Sequence, residues 1–210
     1  SNIPIIGSDW SPEYFQQTLS ALRALSVRPS NDKAGSPGLI VWPESPAPFW
    51  ATDLKLRYTL AEIARNTSSY IITGSIGIEH AGDPHRPPEI YNSASVIATT
   101  GAWTQRYDKI HLVPFGEYVP FANLFSFAGG LTREIGTFSR GASRRPVSVG
   151  DSKAGVFICY ESIFPNEVRL FAANGAEFFV NISNDGWYGE GGAPRQHLNM
   201  ARMRAVENNR

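Results

Sequence analysis

The sequence predicts an α/β fold. Short β-branched bursts at Gly38–Trp42, Tyr70–Ile76, Gly155–Cys159 and Glu177–Ser183 alternate with segments whose apolar residues recur at helical spacing. Glu44, Lys109 and Cys159 each fall just beyond a predicted strand or at a turn leaving one. That is the edge of an open α/β sheet, where reactive groups collect.

Ser11-Pro12-Glu13 is a helix start, with a capping hydroxyl, proline in the first turn and an acid near the positive end of the dipole. Phe15, Leu19, Leu22 and Leu25 follow as its inner stripe. Residues 27–37 read as a loop, and the burst ending at Trp42 stops at Pro43. Asp53 caps a second helix through Asn66 with Leu56, Leu60, Ile63 and Ala64 inward, and Tyr70 returns as a strand, completing a βαβ unit. His80 and His85 lie in the Gly- and Pro-rich stretch Glu79–Glu89; with no third ligand at metal-site spacing, this reads as a surface loop. Asn92–Thr100 and Trp103–Tyr107, joined around Gly101, form a hairpin pattern. Residues 118–140 lack periodicity yet carry Phe121, Leu124, Phe125, Phe127 and Leu131, too apolar for a plain solvated linker, which favours a lid or membrane-touching loop over a packed core arm. After Cys159, Pro165 opens a helix with Val168, Phe171 and Ala172 inward that ends at Gly175. The last helix, Pro194–Asn208, is expected to turn Leu198, Ala201 and Ala205 inward and to leave Arg202 and Arg204 on the surface.

At 210 residues the chain fits one domain. Lys+Arg and Asp+Glu both number 19, so no global basic field points to a nucleic-acid partner. A single cysteine excludes an internal disulfide. No stretch approaches the roughly 18–20 apolar residues that span a bilayer.

The lone cysteine at the end of an apolar strand is by default a small core hydrophobe. Glu44 could be a solvated loop residue, and Lys109 a surface partner of Asp108. Together, however, the three supply what a thiol needs to attack a carbonyl: a base for its proton and a cation where negative charge grows on oxygen. A carboxylate near the thiol opposes a standing thiolate, so Glu44 suits the role of proton acceptor during attack. Glu117, between Gly and Tyr, could simply be exposed, or be a second carboxylate that holds Lys109 or assists the amine.

With these residues in place, the chain resembles the nitrilase, or carbon-nitrogen hydrolase, superfamily. Its Glu-Lys-Cys triad maps onto Glu44 in VWPES, Lys109 in YDKIHLVPFGEYVP and Cys159 in ICYES. Within that superfamily the resemblance is to the bacterial apolipoprotein N-acyltransferase family. It is carried by NIP with Trp10, by YNSA at Tyr91–Ala94, by TFSRG at Thr137–Gly141, and by NISNDGWYG followed by QHLNMARMRAVE through Glu207. The resemblance implies a nitrilase-like α-β-β-α sandwich in one domain over residues 1–210, without cofactor or metal. It also implies two-step acyl transfer at the outer, periplasmic face of the bacterial inner membrane. A phospholipid would be the acyl donor, Cys159 the thioester carrier and the α-amine of a diacylglyceryl-cysteine lipoprotein the acceptor. Glu44 matches the family's base, Lys109 its oxyanion stabiliser and Glu117 a further essential carboxylate. Trp10, Asn92, Tyr160, Glu161 and Trp187 match positions associated with the active site or its loops.

Enzymes of that family carry several transmembrane helices, and no such span occurs here. The expectation is therefore a fragment lacking the first and last strands and the transmembrane part. Two other readings use the same residues: a soluble amidase or nitrilase in which water replaces the amine, and a non-catalytic lipid- or lipoprotein-binding module.

Overall fold

The computed structural model describes residues 11–28, 38–44, 49–80, 86–118, 138–188 and 191–210. Two sheets lie between helices. The outer helical layer is α1 (Pro12–Ser26) and α2 (Leu54–Thr67). The Ser11 hydroxyl caps α1 by accepting from the Tyr14 N–H, and Asp53 caps α2 by accepting from the Leu56 N–H at 2.7 Å.

The first sheet runs in the order β1 (Leu39–Val41), β2 (Tyr70–Glu79), β3 (Glu89–Ile97) and β4 (Trp103–Asp108). β1 lies parallel to β2, as the βαβ pattern requires, and the other pairings are antiparallel. The second sheet is β5 (Val147–Val149), β6 (Ser152–Ile158) and β7 (Phe178–Ile182), with α3 (Pro165–Ala173) as the crossover between parallel β6 and β7. α4 (Ala193–Asn208) packs against α3 and the turn that follows β6.

Strand alternation separates the two cores. Ile71 and Ile97 join Leu56, Leu60, Ile63 and Ala64 beneath the outer helices. Their neighbours Ile72 and Val96 join Ala154, Val156 and Ile158 between the sheets. Gly155 faces α3, where an added Cβ would sit 2.8 Å from the Phe171 Cβ, so glycine permits the close helix-on-strand approach. The layers are thus helix, sheet, sheet, helix, the α/β sandwich expected from the sequence.

Several expectations need correction. The α1 stripe continues from Phe15, Leu19 and Leu22 to Ser26, whose hydroxyl accepts from the Trp42 indole N–H at 2.9 Å; Leu25 falls off that line and is 58% exposed. On α4, Leu198 is 54% exposed and Arg204 only 4%. Arg204 goes inward because its guanidinium reaches the Ser162 carbonyl at 3.3 Å and Glu207 at 2.6 Å, while its aliphatic stem is buried. β2 and β3 run longer than their apolar cores, ending in the Glu79–Glu89 pairing. β5 is an additional strand. Among the described residues no helix is long and apolar enough to cross a membrane. Trp10, His85 and the apolar stretch from Phe121 to Leu131 lie outside the described residues.

Candidate active site

The ends of three strands deliver the three chemistry-bearing residues. Pairing of the β1 chain with β2 continues past the strand through the Trp42 N–H to the Ile72 carbonyl, 2.8 Å, and the Gly74 N–H to the Pro43 carbonyl, 3.2 Å. Glu44 is the first residue beyond that pairing. Lys109 follows β4, its N–H donating to the Asn92 carbonyl and its own carbonyl accepting from the Gly141 N–H, both at 2.9 Å. A Cβ on Gly141 would lie 2.0 Å from the Asp108 carbonyl oxygen, so only glycine lets this chain pass so close. Cys159 follows β6 with φ +51°, a left-handed conformation sparsely used by residues with a side chain, and begins the 3-10 turn Cys159–Ile163.

Their side chains converge. The Lys109 ammonium is 1% exposed and donates to Glu117 Oε1 at 2.9 Å and to Glu44 Oε1 at 3.3 Å. The Asn92 amide donates to the same two oxygens, at 2.6 and 2.8 Å. Glu117 Oε2 accepts from the Val113 N–H at 2.8 Å, and Glu44 Oε2 from the Asn184 N–H at 3.0 Å. Cys159 lies beside them: the side chains of Glu44 and Ser183 both act on its thiol, Glu44 raising its pKa and Ser183 lowering it. Neither the solvated loop for Glu44 nor the surface ion pair for Lys109 survives this geometry.

The charges set the resting protonation. Two carboxylates face one ammonium, leaving a net negative surplus beside the sulfur. Burial first, and Glu44 second, push the Cys159 thiol up to about 12, with Lys109 pulling the other way. The group is therefore a thiol near neutral pH, with a carboxylate placed to take its proton. Burial also works against the Lys109 charge, but Glu44 and Glu117 outweigh it and hold the ammonium above the ordinary lysine range.

Glu161 plays a different part. It accepts from the Ile158 N–H at 2.8 Å, from the Ile110 and His111 N–H groups at 2.8 and 3.1 Å, and from the Tyr107 hydroxyl at 2.9 Å. One buried carboxylate thus ties the turn carrying Cys159 to the segment carrying Lys109. Burial raises its pKa against the opposing pull of those donors, and burial beside Glu161 also raises that of Tyr107.

Of the positions singled out in the sequence, Glu44, Lys109, Cys159, Glu117 and Asn92 form one cluster, and Glu161 supports it. Tyr160 turns aside to pack edge-on against Phe164, ring centroids 5.2 Å apart, and Phe164 stacks on His111 at 4.3 Å. Trp187 lies in the 3-10 turn Asp185–Tyr188. Ser183, Asp185 and His197 fall within the NISNDGWYG and QHLNMARMRAVE motifs but had no role of their own in the sequence. The Ser183 hydroxyl donates to Asp185 at 2.9 Å and His197 Nδ1 lies 2.8 Å from the same carboxylate oxygen. Only the Ser-x-Asp spacing hints at the first contact. Among the described residues no group of three or more His, Cys, Asp or Glu could hold a metal ion.

The carbon-nitrogen hydrolase family profile matches residues 8–210. The chain is 39% identical over 201 residues to apolipoprotein N-acyltransferase of Geobacter metallireducens, covering 95% of this chain and 37% of that protein. It is 40% identical over 187 residues to the protein of that name from Rhizobium rhizogenes, covering 88% and 35%. The chain thus spans little more than a third of the curated relatives it matches. Among solved structures, a carbon-nitrogen hydrolase from Helicobacter pylori superposes with a TM-score of 0.64 at 18% identity over 92% of this chain and 65% of that one. An amidase from Nesterenkonia sp. gives 0.58 at 23% identity over 92% and 67%. Sandwich fold, converging Glu-Lys-Cys geometry and family profile agree: the chain belongs to the carbon-nitrogen hydrolase family.

Proposed function

We infer that this chain is the acyl-transferring part of an apolipoprotein N-acyltransferase. The observation that carries the reading is the convergence of Glu44, Lys109 and Cys159 with Asn92 and Glu117 in a chain about 40% identical to proteins of that name.

The chemistry follows from the charges. As Cys159 Sγ attacks the ester carbonyl of a phospholipid acyl chain, its proton passes to Glu44 and a C–S bond forms. Negative charge appears on the carbonyl oxygen, and the Lys109 ammonium, fixed by Glu117, stabilises it without reorganising. The C–O bond then breaks, and Glu44 returns the proton to the departing lysophospholipid oxygen. In the second half the α-amine of a diacylglyceryl-cysteine polypeptide attacks the thioester and Glu44 accepts its proton. The C–S bond breaks, leaving an amide and a sulfur that regains a proton. A lipid donor and a lipidated acceptor call for a bacterial membrane, and the reading puts the reaction on its outer face; the apolar side chains of 118–140, most of them outside the described residues, have the composition that contact with acyl chains needs.

The test supplies phospholipid and a diacylglyceryl-cysteine peptide to the longest available form of the protein and follows amide formation by mass. Acylation of the peptide that disappears in Cys159→Ala supports the reading. Unchanged acylation by Cys159→Ala contradicts it, and hydrolysis of small amides without peptide acylation identifies an amidase instead.

A further inference from the structure

Ser183, Asp185 and His197 are absorbed neither by the Glu-Lys-Cys chemistry nor by the scaffold. Ser183 follows β7, the strand parallel to β6, so it leaves the sheet beside Cys159. Its hydroxyl donates to Asp185 Oδ1 at 2.9 Å, and the Ile158–Ile182 pairing sets Ser183 next to Cys159, whose thiol pKa the Ser183 side chain pulls down against the effects of burial and Glu44. Asp185 is 9% exposed, and the imidazole of His197, on α4, meets the same Oδ1 at 2.8 Å. Beside a carboxylate this nitrogen is the protonated one, so it donates. Between Ser183 and Asp185, the Asn184 N–H holds Glu44 Oε2. The loop thus touches both the nucleophile and its base.

We propose that Ser183 is a further catalytic residue whose hydroxyl proton alternates between Asp185 and the Cys159 sulfur, and that Asp185 and His197 are positioning residues that hold it ready. This rests on the reading of Cys159 as nucleophile. With sulfur protonated, the Ser183 O–H points to Asp185. As the S–H proton passes to Glu44, the Ser183 O–H turns to donate to the sulfur, and Asp185 keeps its bond from His197. No proton leaves Ser183; one hydrogen bond is exchanged for another. When the sulfur bonds to carbon the hydroxyl returns to Asp185. The exchange supplies a donor to sulfur only while sulfur carries charge, which is when stabilisation raises the rate. Lys109 does not make this donor redundant, because two of its three N–H donors are held by carboxylates and the third is assigned to the carbonyl oxygen.

The test is the rate at which iodoacetamide alkylates Cys159, the only cysteine of the chain, read by intact mass at pH 7.5 alongside the melting temperature. Ser183→Ala is expected to slow alkylation roughly 10-fold, the size of a lost hydrogen bond to a charged group, while Ser183→Thr, which keeps a hydroxyl, restores most of the rate. His197→Leu should slow it less, and His197→Gln, which keeps an N–H, should recover it. A purely structural role would lower melting temperature and rate together and would not separate alanine from threonine. Alkylation of Ser183→Ala at the parental rate overturns the proposal and leaves the nucleophile intact. If Ser183→Ala fails to fold, equal rates for His197→Leu and His197→Gln overturn it instead. A folded parent that takes up no label while the urea-unfolded chain does overturns the nucleophile reading itself.

Discussion

At Cys159 the structure keeps a thiol protonated yet poised, through burial and a neighbouring carboxylate whose influence exceeds that of the ammonium. Replacing Glu44 by Gln removes both the base and the charge that opposes the thiolate. The thiol pKa, about 12 in the parent, should fall, and the alkylation profile should move to lower pH. The same variant should lose at least about 10²-fold in thioester formation from an ester, because the leaving oxygen has no proton donor. A profile that stays in place contradicts the electrostatic account. Lys109→Ala should likewise cost roughly 10²-fold or more in acyl transfer, as expected for a lost oxyanion stabiliser; near-normal single-turnover rates would refute its role. Glu44, Lys109 and Cys159 were legible in the sequence because each stands at or just past the end of a predicted strand, and strand ends share an edge. Ser183 and His197 were not, since their meeting at Asp185 depends on how α4 lies against the loop after β7.

Between elements, Glu161 is the brace. It satisfies three backbone N–H groups on two separate segments and the Tyr107 hydroxyl. Glu161→Ala leaves those donors without an acceptor, each buried orphan costing about 1–3 kcal/mol. For a domain of this size the expected fall in melting temperature is about 6 °C or more. Calorimetry showing a shift under about 2 °C would mean the brace is dispensable. Helix caps, the βαβ unit and the α2 stripe were readable because each is set by neighbours in sequence. Arg204 was not, since it is drawn inward by a carbonyl of Ser162 in the Cys159 turn. Nor was β5, although Val147-Ser148-Val149 before Gly150-Asp151 carries a hairpin pattern.

Over the whole molecule, the sandwich brings the ends of β1, β4 and β6 to one place. Both sheets share the core between them, and a second core lies beneath the outer helices, so the strand ends are held from two sides. For the apolar residues of 121–127, outside the described residues, the expectation of a lid or membrane-touching loop makes its own prediction. Changing Phe121, Phe125 and Phe127 to Ser should weaken binding to phospholipid vesicles in a sedimentation assay while leaving the melting temperature within about 2 °C; unfolding instead would make them core. The central claim is that Cys159 carries a fatty acyl chain, and it is tested most directly by intact mass after incubation with phospholipid of one acyl composition. The account predicts a mass gain of one acyl group, absent in Cys159→Ser and released by neutral hydroxylamine as a thioester. No acyl adduct on a folded chain whose Cys159 alkylates readily would contradict it.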